Sequence, residues 1–149
     1  MSLLDRLKGK RGPTPTIEHP LFGALRFSRH DGWENPGFTL WSFEGVQLLI
    51  DAGPEGPSPT QEEAFRRFES TRADLLPRCV AAVDEVRASF EATGGEFRVS
   101  GLTIPALAGG SEAHDRLWTL WLDLERDDHF MYGVQTDDDW ETIVAFADD

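Results

Sequence analysis

One stretch of the sequence has the spacing of a helix, and shorter stretches with the spacing of strands stand on both sides of it. Between residues 60 and 90, apolar residues such as Phe65, Phe68 and Val83 recur at steps of three, four or their multiples, which predicts an amphipathic helix. The flanking stretches alternate apolar and polar residues, which predicts half-buried strands. No helix separates one strand from the next, so a sheet built from βαβ units is not expected.

The order of these elements predicts an α+β fold. An antiparallel β-meander comes first, then a long helix, kinked or split, and then a second antiparallel β-meander, with the helix packed on the apolar face of one curved sheet. Pro77 removes one backbone donor inside the helical stretch, so we expect either a kink or two helices joined near residues 73–76. Thr60 and Glu63 have the spacing of a capping box and predict the start of the helix.

Seven segments are predicted to be strands. LFGALRFSR, GFTLWSF and VQLLIDA precede the helix, with turns at HDG and at Glu44–Gly45. EFRVSGLTI, RLWTLWLDLE, HFMYGVQT and WETIVAFA follow it. A chain of 149 residues suits one domain. We therefore expect residues 18–149 to form a single α+β domain, and residues 1–17 to be a flexible basic tail and linker.

The charge of the chain limits the partners that it can have. The formal net charge is −13, although the first twelve residues are basic. Such a body repels nucleic acid and anionic membranes, so neither is expected as a partner, whereas a basic protein is. No apolar run reaches the roughly 18 residues of a membrane span, and residues 1–12 lack the apolar core of a signal peptide. We therefore expect a cytoplasmic protein.

The segment TDDDWE, residues 136–141, places three aspartates in a row between two predicted strands. A calcium loop needs spaced oxygen ligands and a central glycine, and neighbouring strand residues point to opposite faces, so a metal site is not expected here. Aspartate is common in turns because its side chain bonds nearby backbone N–H groups. The segment is therefore interpreted as a turn, and no metal or cofactor is predicted.

Acidic residues dominate the last part of the chain. Ten acids stand against Arg126 between residues 123 and 149, and they could attract a basic partner or only keep turns and sheet edges soluble. Trp121 shares a predicted strand face with acids, and Trp140 follows the aspartates, as at a protein contact. The predicted partner-binding surface consists of Trp121, Asp123, Glu125, Asp127, Asp128, Asp137, Asp138, Asp139 and Trp140.

An enzyme is the alternative interpretation. A hydrolase or a metal-dependent enzyme would have a site built from His114, Asp115, Asp127, Asp128 and His129. However, the chain has no G-x-S-x-G elbow, Walker loop or G-x-G-x-x-G fingerprint. The only cysteine, at position 79, lies in an apolar helical stretch and is expected to be buried. No catalytic residue is predicted, and the preferred function is that of a non-enzymatic protein-binding module.

The first meander carries a resemblance to a known group. The stretch HPLFGALRFSRHDGWENPGFTLWSFEGVQLLIDAG, the helix opening PTQEEAF and the acidic C-terminal meander are similar to small bacterial proteins known only as a domain of unknown function, over roughly residues 18 to 149. The resemblance implies structural motifs and no catalytic residue. Some proteins of this group occur in toxin and immunity neighbourhoods, so it also implies an immunity-type antagonist whose acidic face covers a basic toxin.

Overall fold

The computed structural model describes residues 14–89, 96–107, 117–124 and 131–148. Eight strands and two helices are found in these ranges. In chain order they are β1 (Thr16–His19), β2 (Gly23–Ser28), β3 (Gly32–Leu40), β4 (Phe43–Ile50), α1 (Pro59–Ser70), α2 (Arg72–Ala88), β5 (Phe97–Ile104), β6 (Trp118–Leu124), β7 (Met131–Thr136) and β8 (Ile143–Asp148).

All eight strands belong to one mixed sheet whose strand order follows the sequence from β1 to β8. Every neighbouring pair is antiparallel except β4 and β5, which run parallel with Leu48 beside Leu102. The predicted architecture, one long helix between two antiparallel meanders, is therefore wrong. A parallel pair needs a long crossover connection, and here the two helices between β4 and β5 lie in that connection.

The helical stretch consists of two helices because the first one closes at Thr71, earlier than predicted. The backbone N–H of Thr71 and its hydroxyl both donate to the carbonyl of Phe68, at 3.1 and 2.6 Å. This i to i+3 pattern tightens the last turn and satisfies an otherwise unpaired carbonyl. Pro77, which was expected to kink the helix or to follow a joint near residues 73–76, lies inside α2.

Helix α1 also begins two residues before the predicted start. The Ser58 hydroxyl accepts from the backbone N–H of Gln61 at 3.1 Å, and the Gln61 side chain accepts from the Ser58 N–H at 3.0 Å. Pro59 follows as the first helical residue, where its fixed φ and missing N–H are tolerated. Gln61 is buried, and its amide nitrogen donates to the carbonyls of Asp51 and Pro105, so this capping box also fixes α1 to the sheet.

The turn between β3 and β4 lies at Trp41–Ser42 and not at Glu44–Gly45. Trp41 and Ser42 have φ values of 52° and 70°, the left-handed pair that suits the twist of a two-residue hairpin. Such φ values are strained for residues with a side chain. The Trp41 ring offsets this strain, because it stacks on Phe68 at 4.9 Å and its Nε1 donates to the carbonyl of Glu69 at 2.8 Å.

Both helices pack on the same face of the sheet. Phe68 of α1 stacks on Trp118 of β6 at 5.2 Å, and α2 contacts β7 and β8 through a buried side that includes Leu75, Cys79 and Val83. Within the described ranges, no helix lies on the other face, which we call the open face. The N-terminal boundary drawn at residue 17 falls inside β1, which pairs with β2.

Candidate protein-binding face

Strand alternation brings apolar and acidic side chains together on the open face of β6, β7 and β8. The side chains of Trp118, Leu120, Leu122 and Leu124 are buried on the helix side. Trp121 and Asp123 alternate with them and therefore lie on the open face. Register adds Met131, Val144 and Phe146 to the same face, because Gly133 pairs with both Trp121 and Phe146.

A row of glycines and aromatic rings crosses the centre of this face. Gly101, Trp121, Gly133 and Phe146 are cross-strand neighbours on β5 to β8. A Cβ atom at Gly133 would overlap the Phe146 ring, and one at Gly101 would lie 3.0 Å from Trp121 Cδ1. The two rings meet edge to face at 5.5 Å. The glycines therefore let both aromatic side chains lie down on the sheet, where they form a flat apolar centre.

Apolar side chains beside this centre are unusually exposed. Met131 is 46% exposed and Val144 is 55% exposed, while Trp121 and Phe146 are half-buried. On the helix side of the same strand, Ile143, Ala145 and Ala147 pack against the core. Strand β8 is therefore apolar on both faces, although only one of them is covered by the described residues. A contiguous apolar patch of this kind is typical of an interaction surface.

The described parts of the strands that carry the patch, and of the turn between them, contain acids and no basic residue. The described parts of residues 117–148 contain six acids and no lysine, arginine or histidine. The acids are Asp123, Asp137, Asp138, Asp139, Glu141 and Asp148. Asp123 lies two residues from Trp121 on this face, and Asp148 lies two residues from Phe146. The buried Oδ1 of Asp123 has no hydrogen-bond partner within the described residues. Arg98 is its neighbour across β5, but the guanidinium donates to the carbonyl of Glu44 at 2.7 Å.

The three consecutive aspartates form a turn that is tied into the structure. The Asp137 carboxylate accepts from the backbone N–H of Glu141 at 3.0 Å, and the Asp138 carboxylate accepts from Trp118 Nε1 at 3.1 Å. Arg78 of α2 donates to the carbonyls of Trp140 and Glu141 at 2.8 and 3.2 Å. Only Asp139 of the three is exposed. In this acidic turn, residues 137–141, Asp137 and Asp138 therefore stabilise the turn itself, and no ligand is needed to account for either carboxylate.

Trp140, which was predicted to belong to the partner-binding surface, lies in the core. It is 9% exposed, and its ring packs edge to face on Trp118 at 4.9 Å and on Phe68 at 5.3 Å. The positive φ of 58° at this residue turns the side chain inward between α1 and β6. Its sequence position beside three acids does not reveal this, because the contacts come from residues far away in the chain.

The acidic turn and Asp123 lie at opposite ends of the strands. Trp118, the first residue of β6, pairs with Thr136, the residue before the turn, whereas Asp123 is near the far end of β6. At about 3.3 Å per residue, roughly 15–20 Å separates the two ends. Asp148 pairs with Met131 and so lies at the Asp123 end. The predicted surface is therefore divided, and of its residues that the structure describes, only Trp121 and Asp123 belong to the patch on the open face.

Several predicted site residues fall outside the described residues. Glu125, Asp127 and Asp128 of the predicted binding surface are among them, and so are all the residues of the enzymatic alternative: His114, Asp115, Asp127, Asp128 and His129. Within the described ranges, no group of three or more His, Cys, Asp or Glu side chains could hold a metal ion. In the same ranges, neither helix is long and apolar enough to cross a membrane.

Two features of the structure have no counterpart among the predicted site residues. Met131, Val144 and Phe146 complete the open face. The signal for Val144 and Phe146 was the segment IVAFA, five consecutive apolar residues at the start of β8. The second feature is His19. Its Nδ1 accepts from the backbone N–H groups of Leu21 and Phe22 at 3.1 and 3.2 Å, and its Nε2 lies 2.7 Å from the Glu62 carboxylate. This histidine joins the end of β1 to α1.

No protein-family model matches this chain, and no curated protein or solved structure is significantly similar to it. The resemblance to small bacterial proteins of unknown function therefore stays a prediction.

Proposed function

We propose that this chain is a non-enzymatic protein-binding module whose open face on β6, β7 and β8 binds a basic protein. The observation that carries this proposal is the exposure of Met131 and Val144 beside the half-buried Trp121 and Phe146. Burying such a centre under a partner removes apolar area from water, which stabilises a complex. Tryptophan at the centre of a patch is also a frequent source of binding energy.

Charge supports a basic partner over an acidic or neutral one. Six acids and no basic residue lie in the described parts of residues 117–148, within a chain of net charge −13. This field steers a positively charged protein toward the patch and repels nucleic acid, and both effects weaken as salt rises. Asp123 is half-buried on the open face, so its negative charge attracts a lysine or arginine of the partner to this end of the patch.

The same charges argue against a second copy of this chain as the occupant. Two copies facing each other would bring Asp123 and Asp148 close to their equivalents, and like charges that approach across an interface destabilise it.

The sequence resemblance adds one more element to the proposal, namely an immunity-type role in which the open face covers a basic toxin. We place the module in the bacterial cytoplasm, where a single buried thiol such as Cys79 is ordinary.

The proposal is tested by capturing partners from a bacterial lysate on the immobilised chain, preparing each one in pure form and measuring its affinity by calorimetry at low and high salt. We expect Trp121→Ala to weaken binding by ~2 kcal/mol, which is about thirtyfold. Asp123→Asn removes a charged acceptor and is expected to weaken binding by about tenfold. Val144→Thr keeps the shape of an exposed side chain and removes its apolar surface, so a smaller loss is expected.

Asp139→Asn is the matched control. It removes one exposed carboxylate, as Asp123→Asn does, but at the far end of the strands. We expect it to change the affinity by less than about twofold at physiological salt, because it lies at the opposite end of the strands from Asp123 and is exposed to screening by salt. A partner that is equally sensitive to both substitutions, or that binds equally at low and high salt, would refute the proposed site.

A further inference from the structure

The two edges of the sheet differ in how well they are protected from pairing with another strand. At one edge, β1 has four residues and lies between Pro15 and Pro20, which have no N–H to offer. At the other edge, β8 has six residues and contains no proline. Among the residues that the structure describes, no strand pairs with the outer side of β8. Proline and short length are devices that prevent strand addition, and β8 has neither.

The backbone of β8 offers a regular set of hydrogen-bonding groups on its outer side. All six residues of β8 are in register with β7, from Met131 beside Asp148 to Thr136 beside Ile143. In an antiparallel pair, alternate residues direct their N–H and C=O groups to the partner strand, and the residues between them direct theirs outward. Every second residue from Ile143 to Asp148 therefore presents a donor and an acceptor that no described strand pairs with.

The side chains of β8 define what such a strand must contain. Val144 and Phe146 lie on the open face, so a neighbouring strand would place every second side chain beside them, and apolar residues fit there. Glu141 precedes β8 and the exposed Asp148 ends it, so lysine or arginine fits at both ends of the added strand. The chemistry is that of an extended segment with alternating apolar residues and a basic residue at each end.

We propose that the basic partner contributes an extended segment that pairs with β8 as a ninth strand and continues onto the open face. This inference rests on the proposed function and adds the mode of binding to it. A second copy of this chain does not suit the edge, because antiparallel self-pairing of β8 would set Asp148 of each copy near Glu141 of the other. Backbone hydrogen bonds give affinity in this mode, and the alternating side chains give specificity.

The test uses the full-length chain, labelled with nitrogen-15, and a synthetic probe peptide of sequence Lys-Thr-Val-Thr-Val-Thr-Val-Thr-Lys, whose lysines and valines share one face as an extended strand. Amide hydrogen exchange is followed by NMR with and without the peptide. We expect every second amide from Ile143 to Asp148 to exchange at least about tenfold more slowly when the peptide is bound. The indole signal of Trp121 is expected to shift in the same titration. A peptide with glutamate at both ends and one with proline in place of the central valine are the controls, and neither is expected to bind.

Two proline variants test the edge itself. Val144 and Ala145 are adjacent, so one of them directs its N–H outward and the other donates it to β7. Proline at the inward position removes a ladder hydrogen bond and is expected to destabilise the sheet, whereas proline at the outward position leaves the ladder intact. The variant that stays folded is expected to bind the probe peptide at least about tenfold more weakly than the unmodified chain.

The outcomes separate the two proposals. Slow exchange at alternate β8 amides supports strand addition. Strand addition is overturned if the Trp121 signal shifts without slower exchange in β8 and the folded proline variant binds the peptide normally. The open face then remains as the site. Both proposals are overturned if the basic peptide does not bind at millimolar concentration and no partner from the lysate is sensitive to Trp121→Ala.

Discussion

Removal of the Trp140 side chain is expected to destabilise the protein strongly, because the acidic turn holds this ring in the core. Trp140 is 9% exposed and packs edge to face on Trp118 and Phe68. Truncation of a buried aromatic side chain to alanine costs about 3–5 kcal/mol. The expected loss for Trp140→Ala is therefore about 3–5 kcal/mol of unfolding free energy, a large part of the about 5–15 kcal/mol that holds a domain of this kind folded.

Glycine at the same position gives a sharper test of the turn. The φ of Trp140 is 58°, where a residue with a Cβ atom pays about 1–2 kcal/mol that glycine does not pay. Glycine loses about 0.5–1 kcal/mol through its larger freedom in the unfolded chain. We therefore expect Trp140→Gly to be as stable as Trp140→Ala or more stable by about 1 kcal/mol. Trp118 lies in a regular strand, so there the order should reverse, with glycine less stable than alanine.

The assay is urea denaturation followed by far-UV circular dichroism, because both substitutions remove a tryptophan that would report by fluorescence. An unfolding free energy for Trp140→Ala within about 0.5 kcal/mol of the unmodified chain would show that the ring lies outside the core. If alanine gave a higher unfolding free energy than glycine at both Trp140 and Trp118, the left-handed turn at Trp140 would be refuted. Either result would return Trp140 to the list of residues available to a partner.

Three further predictions concern the core, the open face and the edge strand. Burial raises the pKa of the Cys79 thiol to about 11 from its ordinary value of 9.0. The stability that the protonated thiol contributes is therefore complete below pH 9 and falls by up to roughly 2–3 kcal/mol as pH rises through 11. Urea denaturation of Cys79→Ala should lack this part of the alkaline loss. Gly133→Ala places a methyl group against the Phe146 ring and is expected to cost about 1–3 kcal/mol, most of which the double variant with Phe146→Ala should recover in the same assay. At His19, asparagine retains an acceptor near the position of Nδ1 for the N–H groups of Leu21 and Phe22, whereas glutamine retains only a donor toward Glu62. In thermal denaturation we therefore expect His19→Gln to lose about 1 kcal/mol more unfolding free energy than His19→Asn. Equal losses would contradict the assigned roles of the two ring nitrogens.

Local patterns in the sequence predict the elements better than they predict how the elements meet. The alternation around Trp121 predicts a strand over residues 116–125, and the structure has one at Trp118–Leu124. The same alternation separates Trp121 and Asp123 from the leucines between them. The direction of β5 relative to β4 has no comparable local signal, because it depends on where the two helices return the chain. Two pairs of residues had the spacing of a helix cap, Ser58 with Gln61 and Thr60 with Glu63. Pro59 favours the first pair, because proline suits the first position of a helix.

The candidate site could be predicted only in part for the same reason. Trp121 and Trp140 are both tryptophans near acids in the sequence, yet one lies on the open face and the other in the core. The difference arises from Phe68 and Trp118, which surround Trp140 only after the sheet and α1 have assembled. Charge counting along the chain also could not show that the acidic turn and Asp123 lie at opposite ends of the strands.

The most direct test of the binding face is oxidative footprinting of the chain alone and in complex with a purified basic partner. Hydroxyl radicals oxidise exposed methionine and tryptophan readily, and Met131 is 46% exposed on the open face while Trp118 is fully buried as an internal control. We expect the partner to reduce oxidation of Met131 and Trp121 by about tenfold, with no change at Trp118. Unchanged oxidation of Met131 and Trp121 in a complex that has formed would contradict the account, because the partner would then bind elsewhere on the protein.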